Sequence, residues 1–401
     1  MAWWREDGAV RRLVADLLAG ELARLRPGQP LPPATTWEDG LEIGPGGLGA
    51  DSLELVTLAT TLVELLQLQN AGLEDYLLAR RTLGGWVGVA AASLARCDGE
   101  LVFRTSGSTG TPKPCRHALA GLEGEAAVLA DLLSAPEPPR RLLAAVPCHH
   151  IYGFIHTLLL PKHLGIPVLD VRGKLPGSVA ALLRPGDLVI GFPEFWATLL
   201  RLAPALPPGV TGVTSTAPCP DAVADGLRAR GLARLVQVYG SSETAGIGWR
   251  DDPAMPYRLF PRWSATPDGT ALRRQGGDPL PLPDQVDWEG LDLFRVGARR
   301  DGAVQVGGTN VFPDRVAAIL REHPGVADAA VRPFPAGEGL RLKAAVVPAA
   351  GQDPDALRAD LDRWAATRLT PAERPRSLVL LDALPRTTLG KPADWPLPDP
   401  G

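Results

Sequence analysis

Residues 105–113, TSGSTGTPK, gather hydroxyls and glycines ahead of a proline and a lysine; seven of the nine are Ser, Thr or Gly. Backbone that wraps a phosphate closely needs glycine, because a Cβ blocks the approach. Bare N–H groups and hydroxyls in such a turn make a nest for anionic oxygens, and Lys113 adds a point charge. A polar surface loop draws on the same residue types. The Walker spacing GxxxxGK[ST] is absent from this stretch.

Other clusters along the chain carry chemically useful groups. Tyr239, Gly240, Ser242 and Glu243 follow the apolar run LVQV, where an α/β sheet presents its ligand face. An aromatic–glycine turn before a helix with an acidic first turn is the structural alternative. In PCHHIYG (147–153), His149 and His150 taken singly read as structural or surface histidines. An isolated Arg299–Asp301 pair reads as a surface ion pair. Lys391 closes LPRTTLGK, with a glycine just before it.

These groups need a scaffold, and 401 residues with 45% hydrophobic and 21% charged content suit a globular protein of two or three domains. A net charge of −4 gives no reason to expect nucleic acid or an anionic membrane. Four scattered cysteines, without CxxC spacing, speak against a metal cluster or a disulfide framework. The N-terminus lacks the pattern of a signal peptide and no run of about 18 apolar residues exists, so the expected location is the cytoplasm with no membrane span.

Residues 9–26 place apolar side chains at helical spacing. A second helix starts at Asp51 and Ser52, both suited to an N-cap, and one or two short helices end near Ala95. From Leu101 to about Val296, short β-like runs alternate with helical stretches, which predicts α/β layers with mostly parallel strands. From Asp301 the pattern becomes a small α+β domain, with helices at 313–323 and near 354–368. The Pro-rich end, WPLPDPG, reads as a frayed terminus.

Taken in order, these motifs resemble the acyl-adenylate-forming superfamily, which includes acyl- and aryl-CoA synthetases. TSGSTGTPK resembles its phosphate loop, which places Thr105, Ser106, Gly107, Ser108, Thr109, Gly110 and Lys113 at the triphosphate. YGSSE resembles YG-x-T-E with Ser242 in the threonine place. The resemblance implies that Tyr239 stacks on adenine, Gly240 belongs to the nucleotide site, Ser242 bonds the α-phosphate, and Glu243 holds Mg2+. TSTAPCP (214–220) is similar to the adenine-contacting strand end, through Ala217. His150 matches the gate of the acyl pocket, with Phe192, Thr216 and Ile247 as further pocket candidates. Asp284 and Arg299 match the ribose positions, and Asp301 matches the hinge. Pro283 stands where glycine is usual before Asp284, and Gln305 replaces a customary lysine. Lys391 matches the adenylation lysine, whose mobile charge offsets the repulsion between carboxylate and α-phosphate.

The 104 residues ahead of the loop are about half the family's usual number. GLGADSLELVTL resembles the G-x-D-S-L signature of acyl carrier proteins, which implies phosphopantetheine on Ser52 and partner contacts at Glu54 and Glu64. A pseudo-carrier that only covers the shortened sheet is the alternative. The expected fold is therefore α/β: a carrier-like helical bundle (1–96), a truncated adenylation domain (97–300) and a small mobile C-terminal domain (301–401). The implied reaction uses ATP and Mg2+ to convert a carboxylic acid to acyl-AMP, then transfers the acyl group to a thiol. That thiol stays open between CoA, a separate carrier protein and the arm of Ser52, which a phosphopantetheinyl transferase must load. The alternative function is an ATP- or AMP-binding scaffold without turnover.

Overall fold

The computed structural model describes residues 2–26, 28–104, 113–274, 277–336, 339–385 and 394–397. Thr105 to Gly110 of the expected phosphate loop, and Lys391, lie outside the described residues. The chain divides into two compact units. The first holds the residues before the glycine-rich loop, Lys113–Leu282 and Val286–Arg295; the second holds Pro283–Gln285 and the chain from Val296.

The first unit opens with helices α1 (Ala9–Leu25), α2 (Ser52–Leu66), α3 (Tyr76–Ala79) and α4 (Leu83–Leu94). Leu13, Val14, Leu17, Leu18 and Leu22 recur at three- to four-residue spacing and are buried, so they form the inner stripe of α1. Asp51 and Glu54 close a capping box at the start of α2. These helices are tied into the rest of the unit. The Trp3 ring meets Phe154 edge-on at 5.0 Å, Arg12 donates to the Thr157 carbonyl, and Arg104 pairs with Glu64.

Strands β1 (Glu100–Arg104) and β2 (Pro114–Ala118) form an antiparallel hairpin whose last pair is Arg104 with Pro114. They are the two stems of the glycine-rich loop. Helix α5 (Leu119–Leu133) follows. Next come β3 (Arg141–Ala144), α6 (Ile151–Phe154), a π-helical turn (Ile155–Leu159), α7 (Leu160–Leu164) and β4 (Val168–Asp170). Helix α8 (Pro176–Leu182), β5 (Asp187–Gly191), α9 (Pro193–Leu202), β6 (Thr211–Thr214), α10 (Asp221–Ala229) and β7 (Arg234–Ser241) continue the alternation. The chain then turns to β8 (Ala245–Arg250), β9 (Tyr257–Leu259), a small three-stranded sheet of β10 (Ser264–Ala265), β11 (Ala271–Arg273) and β12 (Leu280–Pro281), and finally β13 (Asp284–Trp288) and β14 (Leu293–Arg299).

The main sheet has the order β13-β14-β9-β8-β7-β6-β5-β3-β4. Strands β7, β6, β5, β3 and β4 are parallel, whereas β8 and β9 run antiparallel. The expectation of mostly parallel strands thus holds for one half of the sheet only. Three residues join β7 to β8, too few for the crossover a parallel neighbour requires. Val189, Trp196, Leu199 and Leu235 fill the core beneath the parallel half.

In the second unit, β15 (Val304–Val306) pairs with β16 (Thr309–Val311), followed by α11 (Pro313–Arg321). Strand β17 (Val326–Ala336) pairs antiparallel with β18 (Gly339–Pro348), and β19 (Ser377–Leu380) adds parallel to β18 after α12 (Pro354–Arg368). Val316, Leu320, Val346, Leu357 and Leu361 form its core. Trp395, expected in a frayed end, is buried and lies 5.3 Å from the Lys343 ammonium, which also pairs with Asp394 at 2.9 Å. Burying the indole and satisfying the buried Lys343 outweigh the freedom of that segment. Among the described residues, no helix is long and apolar enough to cross a membrane.

If the front helices are integral to the first unit, Trp3→Ala should lower its stability by about 3–5 kcal/mol. The measurements are the urea midpoint and hydrogen exchange, with α1 and β3 losing protection together.

Candidate active site

The parallel strands β3, β5 and β6 carry His149, His150, Phe192, Thr216 and Ala217 just past their C-terminal ends. Chain order reverses at β3, which has β4 on one side and β5 on the other, and such switch points open a ligand crevice at the strand C-termini. His149 and His150 follow β3 there; His150 is exposed at the start of α6, and His149 is half-buried with its Nδ1 unpartnered. The Tyr152 hydroxyl donates to the Gly191 carbonyl at 2.9 Å and fastens α6 to the end of β5. Phe192 follows Gly191 and is half-buried, its ring 6.3 Å from that of Phe195. After β6, Thr216 takes φ 77, a left-handed conformation unusual for a β-branched residue, and Ala217 lies half-buried beside it. Backbone strain of this kind points to function. Ile247, expected in the pocket, is fully buried within β8.

Tyr239 and Gly240 sit within β7 itself, and Ser242, Glu243 and Thr244 form a hairpin turn to β8, not the start of a helix. The Tyr239 ring lies 5.8 Å from Tyr257 and 5.7 Å from Phe294. A Cβ on Gly240 would fall 2.3 Å from the Ala245 carbonyl oxygen, so only glycine permits this crossing. His117 on β2 shares a 2.7 Å hydrogen bond with the Ser242 carbonyl, which joins the stem of the glycine-rich loop to the turn. Because that carbonyl can only accept, the ring nitrogen facing it must carry a proton. Glu243 is exposed at the tip. Burial and then the Glu243 charge push the Cys115 thiol up to about 11, placing this carboxylate close to the start of β2, two residues after Lys113.

The described residues contain no group of three or more His, Cys, Asp or Glu that could hold a metal. Mg2+ commonly takes one or two carboxylates and completes its shell with phosphate oxygens and water. Glu243, exposed at the tip of the turn, fits that donor set.

Sequence reasoning missed what holds these segments. Glu125 on α5 is fully buried, accepts from the Gly246 amide at 3.1 Å and pairs with Arg262 at 2.5 Å. Burial raises its carboxyl above the ordinary range while Arg262 opposes the rise. Arg262 also donates to the carbonyls of Gly121, Thr244 and Gly246. On the other side, buried Asp16 of α1 accepts from the Cys148 amide at 2.8 Å and pairs with Arg172 at 2.5 Å. A Cβ on Gly20 would lie 2.7 Å from His149 Nε2, so α1 approaches the histidine segment closely. The available signal was a carboxylate inside an apolar helical stripe: Glu125 among Leu122, Ala126 and Leu129, and Asp16 among Leu13 and Leu17.

In the second unit, Asp284 is buried and its carbonyl accepts from Arg300, whose amide donates to Pro283. Arg299 makes a two-pronged contact with Asp301 at 2.8 and 2.6 Å, which holds the Asp301 carboxyl below its usual range. Ser52 stands exposed at the first position of α2; Glu54 and Glu64 are engaged by Arg26 and Arg104.

The family model for AMP-binding enzymes matches residues 94–314, and that for the AMP-binding enzyme C-terminal domain matches 315–391. A 4-coumarate–CoA ligase of Rhodobacter capsulatus is 40% identical over 392 residues, spanning 96% of this chain and 100% of that protein. A second 4-coumarate–CoA ligase, from Halorhodospira halophila, is 38% identical over 95% of this chain and 97% of its own length. In fold, the chain resembles an amide bond synthetase from Marinactinospora thermotolerans, with a TM-score of 0.62 over 96% of this chain and 93% of that one at 20% identity. The chain belongs to the AMP-binding enzyme family. It is an AMP-forming acid–thiol ligase, which activates a carboxylic acid as acyl-AMP and then passes the acyl group to a thiol.

Beneath the crevice, His156 is completely buried in the π-helical turn, with Nδ1 2.9 Å from the Tyr152 carbonyl and Nε2 unpartnered. Burial holds its pKa at about 4, against 6.5 when exposed. The folded state therefore rejects a proton that the unfolded chain accepts. Stability from this group is full above pH 6.5 and is lost as pH falls towards 4, by about 3 kcal/mol in all. His156→Gln should flatten that part of the stability–pH curve, as followed by urea unfolding from pH 7 to 4.

Proposed function

We propose that this ligase joins an aryl-propenoic acid of the 4-coumarate type to CoA. The observation that carries the reading is the 40% identity to a 4-coumarate–CoA ligase over the full length of that protein. The aromatic and imidazole groups at the rim, His150 and Phe192, suit a flat aryl acid. Under this reading Lys113 and the glycine-rich loop hold the triphosphate, and Glu243 and Ser242 serve Mg2+ and the α-phosphate. Tyr239, Gly240 and Ala217 border the adenine, while Asp284 and Arg299 bind the ribose. His150 gates the acid, and Lys391 meets both the carboxylate and the α-phosphate.

The chemistry asks for alignment and charge neutralisation. A carboxylate oxygen attacks the α-phosphorus in line, the bond to the bridging oxygen breaks, and pyrophosphate leaves. The CoA thiol then replaces AMP at the acyl carbon. Mg2+, when bound, neutralises phosphate charge. In a pyrophosphate-exchange screen of hydroxycinnamates, hydroxybenzoates and medium-chain fatty acids, 4-coumarate should rank first and yield a CoA thioester. ATP binding without exchange for any acid in the panel would instead favour a nucleotide-binding scaffold. Lys391→Ala should lose acid-dependent exchange by about 100-fold or more while ATP binding survives; retained exchange removes Lys391 from this role.

The second reading, a loaded carrier at Ser52, draws on Ser52 and Leu53 being exposed together at the start of α2, with Leu53 77% accessible. Coexpression with a phosphopantetheinyl transferase decides it. A mass gain abolished by Ser52→Ala supports a carrier, and an unmodified chain favours a pseudo-carrier.

A further inference from the structure

We infer that Arg274 is a phosphate-contacting residue of this enzyme, meeting the β- and γ-phosphates of ATP and the pyrophosphate they become. The inference rests on the adenylation reading of the site. Its ground is a surplus of positive charge behind the Ser242–Thr244 turn. Arg262 and Arg274 both stand there, and the buried carboxylate Glu125 is bonded to Arg262 and to the Gly246 amide. Among the described residues, no carboxylate forms an ion pair with Arg274.

Arg274 is half-buried, and what holds it is neutral. One Nη donates to the Thr244 carbonyl at 3.3 Å. The guanidinium lies over the Trp263 ring, 4.7 Å from its centroid. Its Nε is buried with no hydrogen-bond partner. Its other Nη lies 3.4 Å from where a Cβ on Gly121 would stand, so it borders the first turn of α5. Burial and then repulsion from Arg262 lower the pKa of this guanidinium, and the weaker attraction of Glu125 does not offset them. A desolvated, unmatched charge is unfavourable until an anion compensates it.

The surroundings indicate which anion. Thr244 adjoins Glu243 and Ser242, and His117 ties Ser242 to the stem of the glycine-rich loop. A fork of N–H donors that stays charged when partly dried suits phosphate oxygens better than an ammonium does. As the bond between the α-phosphorus and the bridging oxygen breaks, the electron pair passes to the leaving pyrophosphate, where a fixed cation lowers the barrier. AMP lacks these two phosphates, which separates a phosphate contact from a structural role.

Calorimetric titration of wild type, Arg274→Gln and Arg274→Lys with MgATP, pyrophosphate and AMP tests the assignment. Arg274→Gln should weaken MgATP and pyrophosphate about 10- to 100-fold while AMP stays within about twofold. Arg274→Lys should recover part of the loss. Equal weakening of ATP and AMP, or no change in either, overturns the assignment. Should Arg274→Gln not fold, the ATP-to-AMP affinity ratio of Arg274→Lys decides, since an unchanged ratio also overturns it. A wild-type protein that binds neither ATP nor AMP overturns the adenylation reading itself.

Discussion

A carboxylate removed from water must be compensated on the spot, and Glu125 shows how much of this site hangs on that requirement. Its two oxygens take the Gly246 amide and the Arg262 guanidinium. The same Arg262 Nη also donates to the Thr244 and Gly246 carbonyls around the turn from β7 to β8. The exposed tip of that turn, Ser242 and Glu243, has little packing of its own. Its conformation is set from behind, by charges that have no other partner to choose. Replacing such a pair with apolar groups need not reduce stability, but breaking it leaves a stranded charge. Here the pair supplies position.

The same physics acts on the acid side of the crevice. Asp16, carried by the first helix, is matched by the Cys148 amide and by Arg172. It therefore fixes where the histidine segment after β3 begins. The first helix is thus bonded directly to the segment that follows β3. The relatives at 38–40% identity match along nearly the whole chain, so the sequence that encodes this helix aligns together with the catalytic motifs. A tightly bonded front helix and a swinging carrier make opposite demands on the same residues. Buried ionic contacts favour the former.

Between these two anchors lies a rim built by parallel strands. Their C-terminal ends supply exposed backbone and short polar side chains, while the apolar bulk of Val189, Leu199 and Leu235 stays beneath. The β1–β2 hairpin, stem of the glycine-rich segment, is joined to the turn between β7 and β8 by the His117–Ser242 hydrogen bond.

Much of this was legible in the sequence because catalytic motifs are local. The motifs TSGSTGTPK, YGSSE and PRTTLGK run in consecutive residues, which was enough to recognise the family, and the alternation of short apolar runs with amphipathic stretches was enough for an α/β layer. The antiparallel half of the sheet was hidden, since strand direction depends on connection length and partners rather than on periodicity. Hidden too were Glu125, Arg262, Asp16 and Arg274, whose partners lie far along the chain. Arg262 and Glu125 are 137 residues apart, and Asp16 and Cys148 are 132 apart. A charge inside an apolar stripe announces that a partner must exist. Only folding, which decides which distant groups share one desolvated volume, says which partner it is.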